Sequence, residues 1–284
     1  MMRLMGLRPP HRVASSSGSL VIVGGAEDRS GDSAILGRLV SLCGISDPEV
    51  VVVDAASRTP ARFVRHYRQT FEALGARVVH APRLNGPQDG DTADFLSIVE
   101  RAHLVYFAGG DQARLVHVLR GTRAHECLLA RHSGDGVVIG GTSAGAAALS
   151  RTMISRGDSN LWPRKGSVRI TEGLGFTDLI IDQHFSQRGR LGRLMEALAM
   201  PGHDARGVGV DENTALVLFP DGSGEVIGEG GVAVVTLTGD KGPSWSRTGP
   251  RDIVSLSVEL SVFRSGDRIG YLGTTETAAA QDPA

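Results

Sequence analysis

The chain has 284 residues, which is long enough for one large α/β domain or two modest ones with a core able to bury a catalytic site. Its 30 lysines and arginines stand against 31 aspartates and glutamates, so the net charge is −1. This balance excludes a general electrostatic attraction to nucleic acid or to an anionic membrane. Any charged ligand must therefore be bound by a local arrangement of side chains.

The ends of the chain carry little structural information. Residues 1–17 are predicted to be a disordered lead-in, because arginines and prolines interrupt the apolar residues and leave no signal-peptide core.

Cys43 and Cys127 have neither CxxC nor metal-ligand spacing and are interpreted as buried free thiols, which favours a reducing, cytoplasmic location. No apolar run is long enough to span a membrane. We expect residues 18–275 to form a single α/β domain and 276–284 a flexible tail.

Short runs rich in β-branched residues alternate with longer amphipathic segments as far as residue 200. Strands are predicted at 20–24, 50–55, 77–80, 103–108, 136–141 and 179–182. Helices are predicted at 32–43, 59–74, 92–102, 112–119, 124–133 and 144–149. Continuous apolar strands that alternate with helices indicate a mostly parallel sheet flanked by helices on both faces, so the predicted fold class is α/β.

After Met200 the pattern changes to successive apolar runs separated by turn residues, with little helical periodicity. This pattern predicts a C-terminal β-rich extension packed on the edge of the sheet. No linker rich in proline, glycine and serine precedes it, and the chain has no internal repeat. We therefore expect one continuous domain.

Unusual sequences follow four of the predicted strands. They are GGAED at 24–28, GGDQ at 109–112, GTSAG at 141–145 and DQHF at 182–185. Ligands bind at the carboxyl ends of the strands in open α/β sheets, because loops and helix N-termini converge there. The four sequences are therefore expected to share one functional edge.

The segment GTSAG has the Gly-x-Ser-x-Gly form between a strand and an alanine-rich helical run, the setting of a nucleophile elbow after a central strand. Such a turn exposes the hydroxyl of Ser143 and directs the backbone N–H of Ala144 toward the same space, where it would stabilise an oxyanion. The small residues would equally serve close helix packing or a phosphate cradle. The pattern predicts Ser143 as a candidate nucleophile.

A serine nucleophile needs a base, and imidazole is the usual one near neutral pH. Of the nine histidines, only His184 ends a predicted buried strand among polar neighbours at the same edge as Ser143. The chain continues through Arg188, Arg190 and Arg193 into a helix. Guanidinium groups near a helix N-terminus suit carboxylates, although a solvated basic helix start would have the same sequence.

The motifs IVGGAED, FAGGDQ, GTSAGA, DQHFSQRGRLGRL and VGVDENTAL occur in an order and spacing that resembles cyanophycinases. The resemblance covers residues 21–219. Cyanophycinases belong with the aspartyl dipeptidases to a group of serine peptidases whose fold is like that of class I glutamine amidotransferases. The resemblance implies a homodimeric exopeptidase, without metal or other cofactor, that hydrolyses cyanophycin to β-Asp-Arg dipeptides. Cyanophycin is a poly-aspartate whose β-carboxyls each carry arginine.

The resemblance also implies roles for individual residues. Ser143 and His184 would act with Glu212 as the third member of the triad, and Asp158 is the alternative because aspartyl dipeptidases place an acid between the serine and the histidine. Asp211 and Glu172 are weaker candidates. Oxyanion donors would be the backbone N–H groups of Ala144 and of Gly110 or Asp111. The implied substrate-pocket residues are Gln112, Asp182, Gln183, Arg188, Arg190 and Arg193.

Two rival functions are considered. An aspartyl dipeptidase acting on small Asp-X peptides would need fewer contacts beyond the scissile bond, and the three arginines favour the polymer. A non-catalytic nucleotide-binding protein would require Gly-x-Gly-x-x-Gly or a P-loop lysine, and the sequence has neither. Metal-dependent hydrolysis is disfavoured because no His-Glu-x-x-His or comparable spacing occurs.

Overall fold

A computed structural model describes residues 17–29, 31–57, 60–202, 206–238, 243–244 and 253–272. The predicted lead-in, apart from its last residue, and the predicted tail lie outside the described residues. The helices are α1 Ala34–Leu42, α2 Pro60–Ala73, α3 Ala93–Arg101, α4 Gln112–Leu119, α5 Arg123–Gly134, α6 Ala144–Ala148 and α7 Leu191–Ala199. Short 3₁₀ helices occupy Pro87–Asp91 and Ser186–Arg188.

The strands of the first half follow the predicted positions closely. They are β1 Leu20–Val23, β2 Glu49–Val53, β3 Val78–His80, β4 Leu104–Phe107, β5 Val138–Thr142, β6 Thr152–Gly157, β7 Val168–Glu172 and β8 Ile180–Gln183. The remaining strands are β9 Gly207–Val210, β10 Thr214–Leu218, β11 Gly224–Gly228, β12 Gly231–Thr238, β13 Ser257–Arg264 and β14 Arg268–Ile269. The hairpin of β6 and β7 was not among the predicted elements.

Within the described part of the chain, the largest sheet has the strand order β14-β11-β10-β1-β5-β4-β2-β3. The five neighbouring strands β1, β5, β4, β2 and β3 pair in parallel. On the other side of β1, the strands β10, β11 and β14 extend the sheet in antiparallel pairings. The predicted α/β class with a mostly parallel sheet is confirmed.

The predicted placement of the sixth strand in this sheet is wrong. Strand β8 instead pairs in parallel with β9, in a separate sheet of order β13-β12-β9-β8. The C-terminal strands are thus divided between two sheets rather than forming one extension at the edge of the large sheet. The apolar run of β8 fixes its extended conformation and burial, but it contains no information about which strand will be its partner.

Side chains alternate across the large sheet and so join its two faces to different helices. Leu20 and Ile22 of β1 belong to the core cluster that includes side chains of α3, α4, α5 and α6. Val21 and Val23 belong to the cluster formed with α1 and α2. Because both faces are covered, the strands are apolar at every position rather than at alternate ones.

Polar residues begin several of the helices at predicted positions. The side chain of Thr92 accepts a hydrogen bond from the N–H of Phe95 at the start of α3, and Thr122 caps α5 in the same way. The Asp111 carboxylate accepts the N–H groups of Ala113 and Arg114 at the start of α4. This cap fixes the turn between β4 and α4, where GGDQ lies.

No helix among the described residues is long and apolar enough to cross a membrane. Cys43 and Cys127 are free thiols, but both are partly exposed rather than buried as predicted. Each packs against a core cluster, Cys43 just after the end of α1 and Cys127 from α5.

Candidate active site

Ser143 occupies a strained turn between β5 and α6. Its backbone has φ 51° and ψ −114°, a conformation that L residues adopt rarely. The N–H of Ser143 donates to the carbonyl oxygen of Val23 at 3.0 Å, which fixes the turn against the neighbouring strand β1. The strained backbone therefore has the form of a nucleophile elbow.

The structure brings together the three side chains of the predicted triad. The Oγ of Ser143 lies 2.8 Å from Nε2 of His184. On the other side of the ring, Nδ1 of His184 lies 2.6 Å from Oε1 of Glu212. The side chain of His184 is 10% exposed and that of Glu212 is 38% exposed, so the ring is enclosed while the carboxylate reaches solvent. Ser143, His184 and Glu212 are called the candidate triad below.

The loop after β1 holds the two other segments of the candidate triad in place. The carbonyl of Gly24 accepts the N–H of His184 at 2.8 Å, and the carbonyl of Gly25 accepts the N–H of Asn213 at 2.8 Å. The side-chain oxygen of Asn213 accepts the N–H of Asp28, also at 2.8 Å. These contacts fix the end of β8 and the β9–β10 turn relative to β1, although β8 and β9 belong to a different sheet from β1.

Glycine is required at position 25 of this loop. Its φ is +106°, and a Cβ there would lie 2.3 Å from Cε1 of His184. Any side chain would therefore displace the imidazole from its position beside Ser143. The second glycine of GGAED thus makes room for the catalytic ring.

The environment of His184 keeps the imidazole neutral at neutral pH. Burial lowers the pKa of His184 below its usual value, and the hydrogen bond to Glu212 opposes this effect. The positive charges of Arg188 and Arg190 lower the pKa further. A neutral Nε2 can accept the hydroxyl proton of Ser143, as a general base must.

The predicted oxyanion donors differ in their availability. Ala144 is the first residue of α6, so its N–H has no acceptor four residues earlier within the helix. The N–H of Asp111 donates to the carbonyl of Ala56 at 2.9 Å and is therefore occupied. Of the two alternatives at the GGDQ turn, Gly110 is the one whose N–H has no hydrogen-bond acceptor among the described residues. Ala144 and Gly110 are the available pair.

A cavity of about 700 Å³ opens in front of Ser143. It is lined by residues from the ends of four strands of the large sheet, β1, β2, β4 and β5, and by residues of β6 and the end of β8. They are Ala26, Arg29, Ala56, Ser57, Gly109, Gly110, Asp111, Gln112, Thr142, Ser143, Ser155, Arg156 and His184. A larger cavity of about 860 Å³ lies at the opposite end of β1, near Leu20 and Leu218. The smaller cavity is the candidate substrate site because it contains the nucleophile and the base.

Three of the predicted pocket residues form a buried ion cluster instead of lining this cavity. The carboxylate of Asp182 accepts hydrogen bonds from Arg190 at 3.3 Å and from Nε of Arg193 at 2.8 Å, and Nη2 of Arg193 contacts it as well. Asp182 is 1% exposed, Arg190 7% and Arg193 5%. Asp182, Arg190 and Arg193 are called the ion cluster below. The single carboxylate of Asp182 lies between the two guanidiniums, which also donate to Gln183 and to the carbonyl of Gly157.

The other predicted pocket residues have varied positions. The side-chain oxygen of Gln183 accepts from Arg190 at 2.9 Å, so this residue is joined to the ion cluster. Arg188 is exposed on the 3₁₀ turn after His184. Gln112 lines the cavity at the start of α4. Direct contact of these residues with substrate stays a prediction.

The alternative carboxylates for the triad lie elsewhere. Asp158 is exposed at the end of β6 and lines a separate cavity. Asp211 accepts the N–H groups of Ser186, after β8, and of Gly231, at the start of β12. Glu172 pairs with the exposed Arg120, just after α4. Among the described carboxylates, Glu212 is the one found in contact with the ring of His184.

Sequence reasoning overlooked a buried carboxylate behind the nucleophile. Glu27, 4% exposed, accepts hydrogen bonds from the hydroxyls of Tyr67, Tyr106 at 3.2 Å and Thr142 at 2.5 Å. Thr142 directly precedes Ser143, so this network supports the elbow from below. Its position in GGAED marked it as unusual, but its partners come from distant segments and no local pattern reveals them.

Two cavity arginines were also overlooked. Arg29 follows the β1 loop, and its guanidinium lies 5.4 Å from the centre of the Tyr67 ring. Arg156 lies on β6, in the unpredicted hairpin. The described residues contain no group of three or more histidine, cysteine, aspartate or glutamate side chains suited to a metal ion. The chemistry available to the site from these residues is nucleophilic attack by Ser143 with acid–base assistance from His184.

Comparisons with known proteins agree with this chemistry. The model of Peptidase family S51 matches residues 20–225. The cyanophycinase of Trichormus variabilis is 34% identical over 254 residues, covering 88% of this chain and 84% of the relative. That of Geminocystis herdmanii is 33% identical over 253 residues, covering 88% and 92%.

A solved structure supports the fold. The crystal structure of a peptidase from an acI-B1 Actinobacterium superposes with a TM-score of 0.67 over 90% of this chain and 98% of the other, at 21% identity. The family match spans more than half of the chain, and the two relatives exceed 30% identity over most of their length. The chain therefore belongs to peptidase family S51 and is a serine-type peptidase.

Proposed function

We propose that this peptidase is an exopeptidase that hydrolyses cyanophycin to β-Asp-Arg dipeptides through an acyl-enzyme on Ser143. The observation that carries the mechanism is the continuous hydrogen-bonded line from Ser143 through His184 to Glu212. The proposed substrate is supported by the cyanophycinases that match most of this chain at about one-third identity. The cavity is roomy enough for a dipeptide unit and lies open to solvent beside the nucleophile.

In the proposed reaction, Nε2 of His184 takes the hydroxyl proton as Oγ of Ser143 attacks a main-chain carbonyl between aspartates. The N–H groups of Ala144 and Gly110 stabilise the oxyanion that forms. Collapse of this intermediate breaks the C–N bond, and the imidazolium gives its proton to the leaving amine. Water then attacks the acyl-enzyme ester with His184 as base. This step releases the acyl part of the substrate as a carboxylic acid and restores the hydroxyl of Ser143.

Glu212 acts through the histidine in this scheme. Its carboxylate accepts a hydrogen bond from the protonated Nδ1 of His184. Nε2, which faces Ser143, then has no proton and can accept one. It also stabilises the positive charge that appears on the ring during the attack. The strained turn at Ser143 contributes by holding Oγ in the attacking position before substrate arrives.

The decisive experiment measures release of β-Asp-Arg from insoluble cyanophycin by the purified protein, with a chelator present. We expect release by the natural sequence and a loss of about 10⁴-fold or more in Ser143→Ala, since removal of the nucleophile leaves only binding and oxyanion stabilisation. The matched control is Ser186→Ala, an exposed serine two residues after His184, which should retain activity. Hydrolysis of small Asp-X peptides in place of cyanophycin would instead establish an aspartyl dipeptidase.

A further inference from the structure

The strand β6 reaches the catalytic cavity through an irregularity. Its pairing with β7 passes from Ile154–Ile170 to Arg156–Arg169, which leaves Ser155 as an extra residue in a β-bulge. In a regular strand, neighbouring side chains point to opposite faces. Because of the bulge, Ser155 and Arg156 both line the cavity that contains Ser143.

The bulge is held in place by side-chain contacts. The Nε2 of Gln112 donates to the carbonyl of Ile154 at 3.2 Å and to that of Ser155 at 3.0 Å. The hydroxyl of Ser155 donates to the carbonyl of Arg169 at 3.0 Å. Gln112 begins α4 directly after the GGD turn, so its amide connects the backbone that carries Arg156 to the oxyanion side of the site.

The charges of the cavity lining favour an anion. Arg156 is exposed, and no hydrogen bond or ion pair of its guanidinium is found within the described part of the chain. Arg29, by contrast, contacts the hydroxyl of Tyr67 at 3.5 Å. The only carboxylate among the described lining residues belongs to Asp111, and it already accepts two N–H groups of α4.

We propose that Arg156 is a specificity-determining residue that binds a carboxylate of the substrate beside the scissile bond. A guanidinium binds a carboxylate with two parallel hydrogen bonds, which gives both affinity and orientation. This inference rests on the proposed function for the identity of the substrate. Cyanophycin offers two such groups, the main-chain carboxylate at its end and the α-carboxylate of each attached arginine.

The first test compares three synthetic peptides of three β-Asp-Arg units. One has all carboxylates free, one has an amide at the main-chain end, and one has an amide on every arginine. Arg156→Gln should lower kcat/KM for the free acid by about 10-fold to 100-fold, the range expected for a lost charged hydrogen bond. The loss should disappear on the amide that lacks the recognised carboxylate, which identifies that group.

The matched control is Arg169→Gln, which removes the same charge from the opposite strand of the same hairpin. Arg169 is exposed and pairs with Arg156 in the hairpin. It lines the neighbouring cavity, to which Arg156 also contributes, but not the cavity that contains Ser143, so its replacement should change kcat/KM by less than about twofold. An equal loss on all three peptides, or the same loss in the control variant, would overturn the proposal.

The second test is independent of the natural substrate. Two fluorophosphonate probes that differ only in a carboxylate or carboxamide tail are compared by their rates of labelling Ser143, which displaces fluoride from phosphorus. The natural sequence and Arg169→Gln should prefer the carboxylate probe by about tenfold, and Arg156→Gln should lose the preference. Preference without cyanophycin hydrolysis would reject the proposed function alone, and hydrolysis without preference would reject the role of Arg156 alone.

Discussion

The candidate triad and the ion cluster share a short segment of chain, yet their side chains have different surroundings. The charged groups of the ion cluster pair with one another in the interior, whereas the candidate triad faces the cavity. Asp182 and His184 are two residues apart at the end of β8. The left-handed conformation of His184, with φ 49°, ends the strand and redirects its side chain to the cavity, whereas Asp182 stays in the interior with two arginines. Two titratable side chains at one strand end can therefore differ in burial and in the groups that they contact.

The difference teaches how to separate structural from chemical arginines in this protein. A guanidinium that is buried against a carboxylate has few N–H donors free for a substrate. Moving it toward a substrate would leave the buried carboxylate without its counter-charge. Burial lowers the pKa of Arg190 to about 10, and Asp182 opposes this effect, so Arg190 remains charged at neutral pH. Arg156 is exposed in the cavity, and Arg188 is exposed on the 3₁₀ turn after His184.

The largest expected effect tests the triad side of the comparison. Glu212→Gln should lower kcat on cyanophycin by about 10⁴-fold, because the imidazolium loses its compensating charge and the favoured tautomer. The side chain is 38% exposed, so the free energy of unfolding should change by no more than about 1 kcal/mol. Activity assays and urea unfolding measure the two quantities. A large loss of stability with modest loss of kcat would assign Glu212 a structural role.

The ion cluster should respond in the opposite way. Asp182→Asn leaves Arg190 and Arg193 without their counter-charge in a buried site, and we expect the free energy of unfolding to fall by about 3–5 kcal/mol. Urea unfolding of the variant measures this directly. The control is Arg188→Gln, an exposed residue of the same segment, for which a change within about 0.5 kcal/mol is expected. Equal stability of the two variants would contradict the distinction.

The smallest expected effect concerns the influence of a nearby arginine, Arg188, on the pKa of His184. Activity requires neutral His184, so kcat/KM should rise with pH through a value below the usual histidine pKa. Arg188 lowers the pKa of His184, hence Arg188→Gln should raise that pKa and move the acid limb of the profile to higher pH. The measurement is kcat/KM against pH for both proteins at low ionic strength. A shift to lower pH would show that the sign of this coupling is wrong.

Much of the architecture was determined by the sequence itself. Continuous runs of β-branched residues gave the parallel strands, because strands buried on both faces need no polar positions, as Val21 and Ile22 illustrate. Caps such as Thr92 and Asp111 marked helix starts through local hydrogen bonds. The turn at Ser143 followed from its glycines and its strand–helix setting, which are also local features.

Tertiary structure decided the features that depend on contacts between distant segments. The sheet to which β8 belongs, the bulge that directs Arg156 into the cavity, and the partners of Glu27 all depend on residues far apart in sequence. Whether an arginine near a catalytic histidine is free or paired depends likewise on which carboxylate folds against it. Hydrophobic periodicity and turn chemistry specify local conformation and burial, but pairing is selected by the free energy of the whole packed chain.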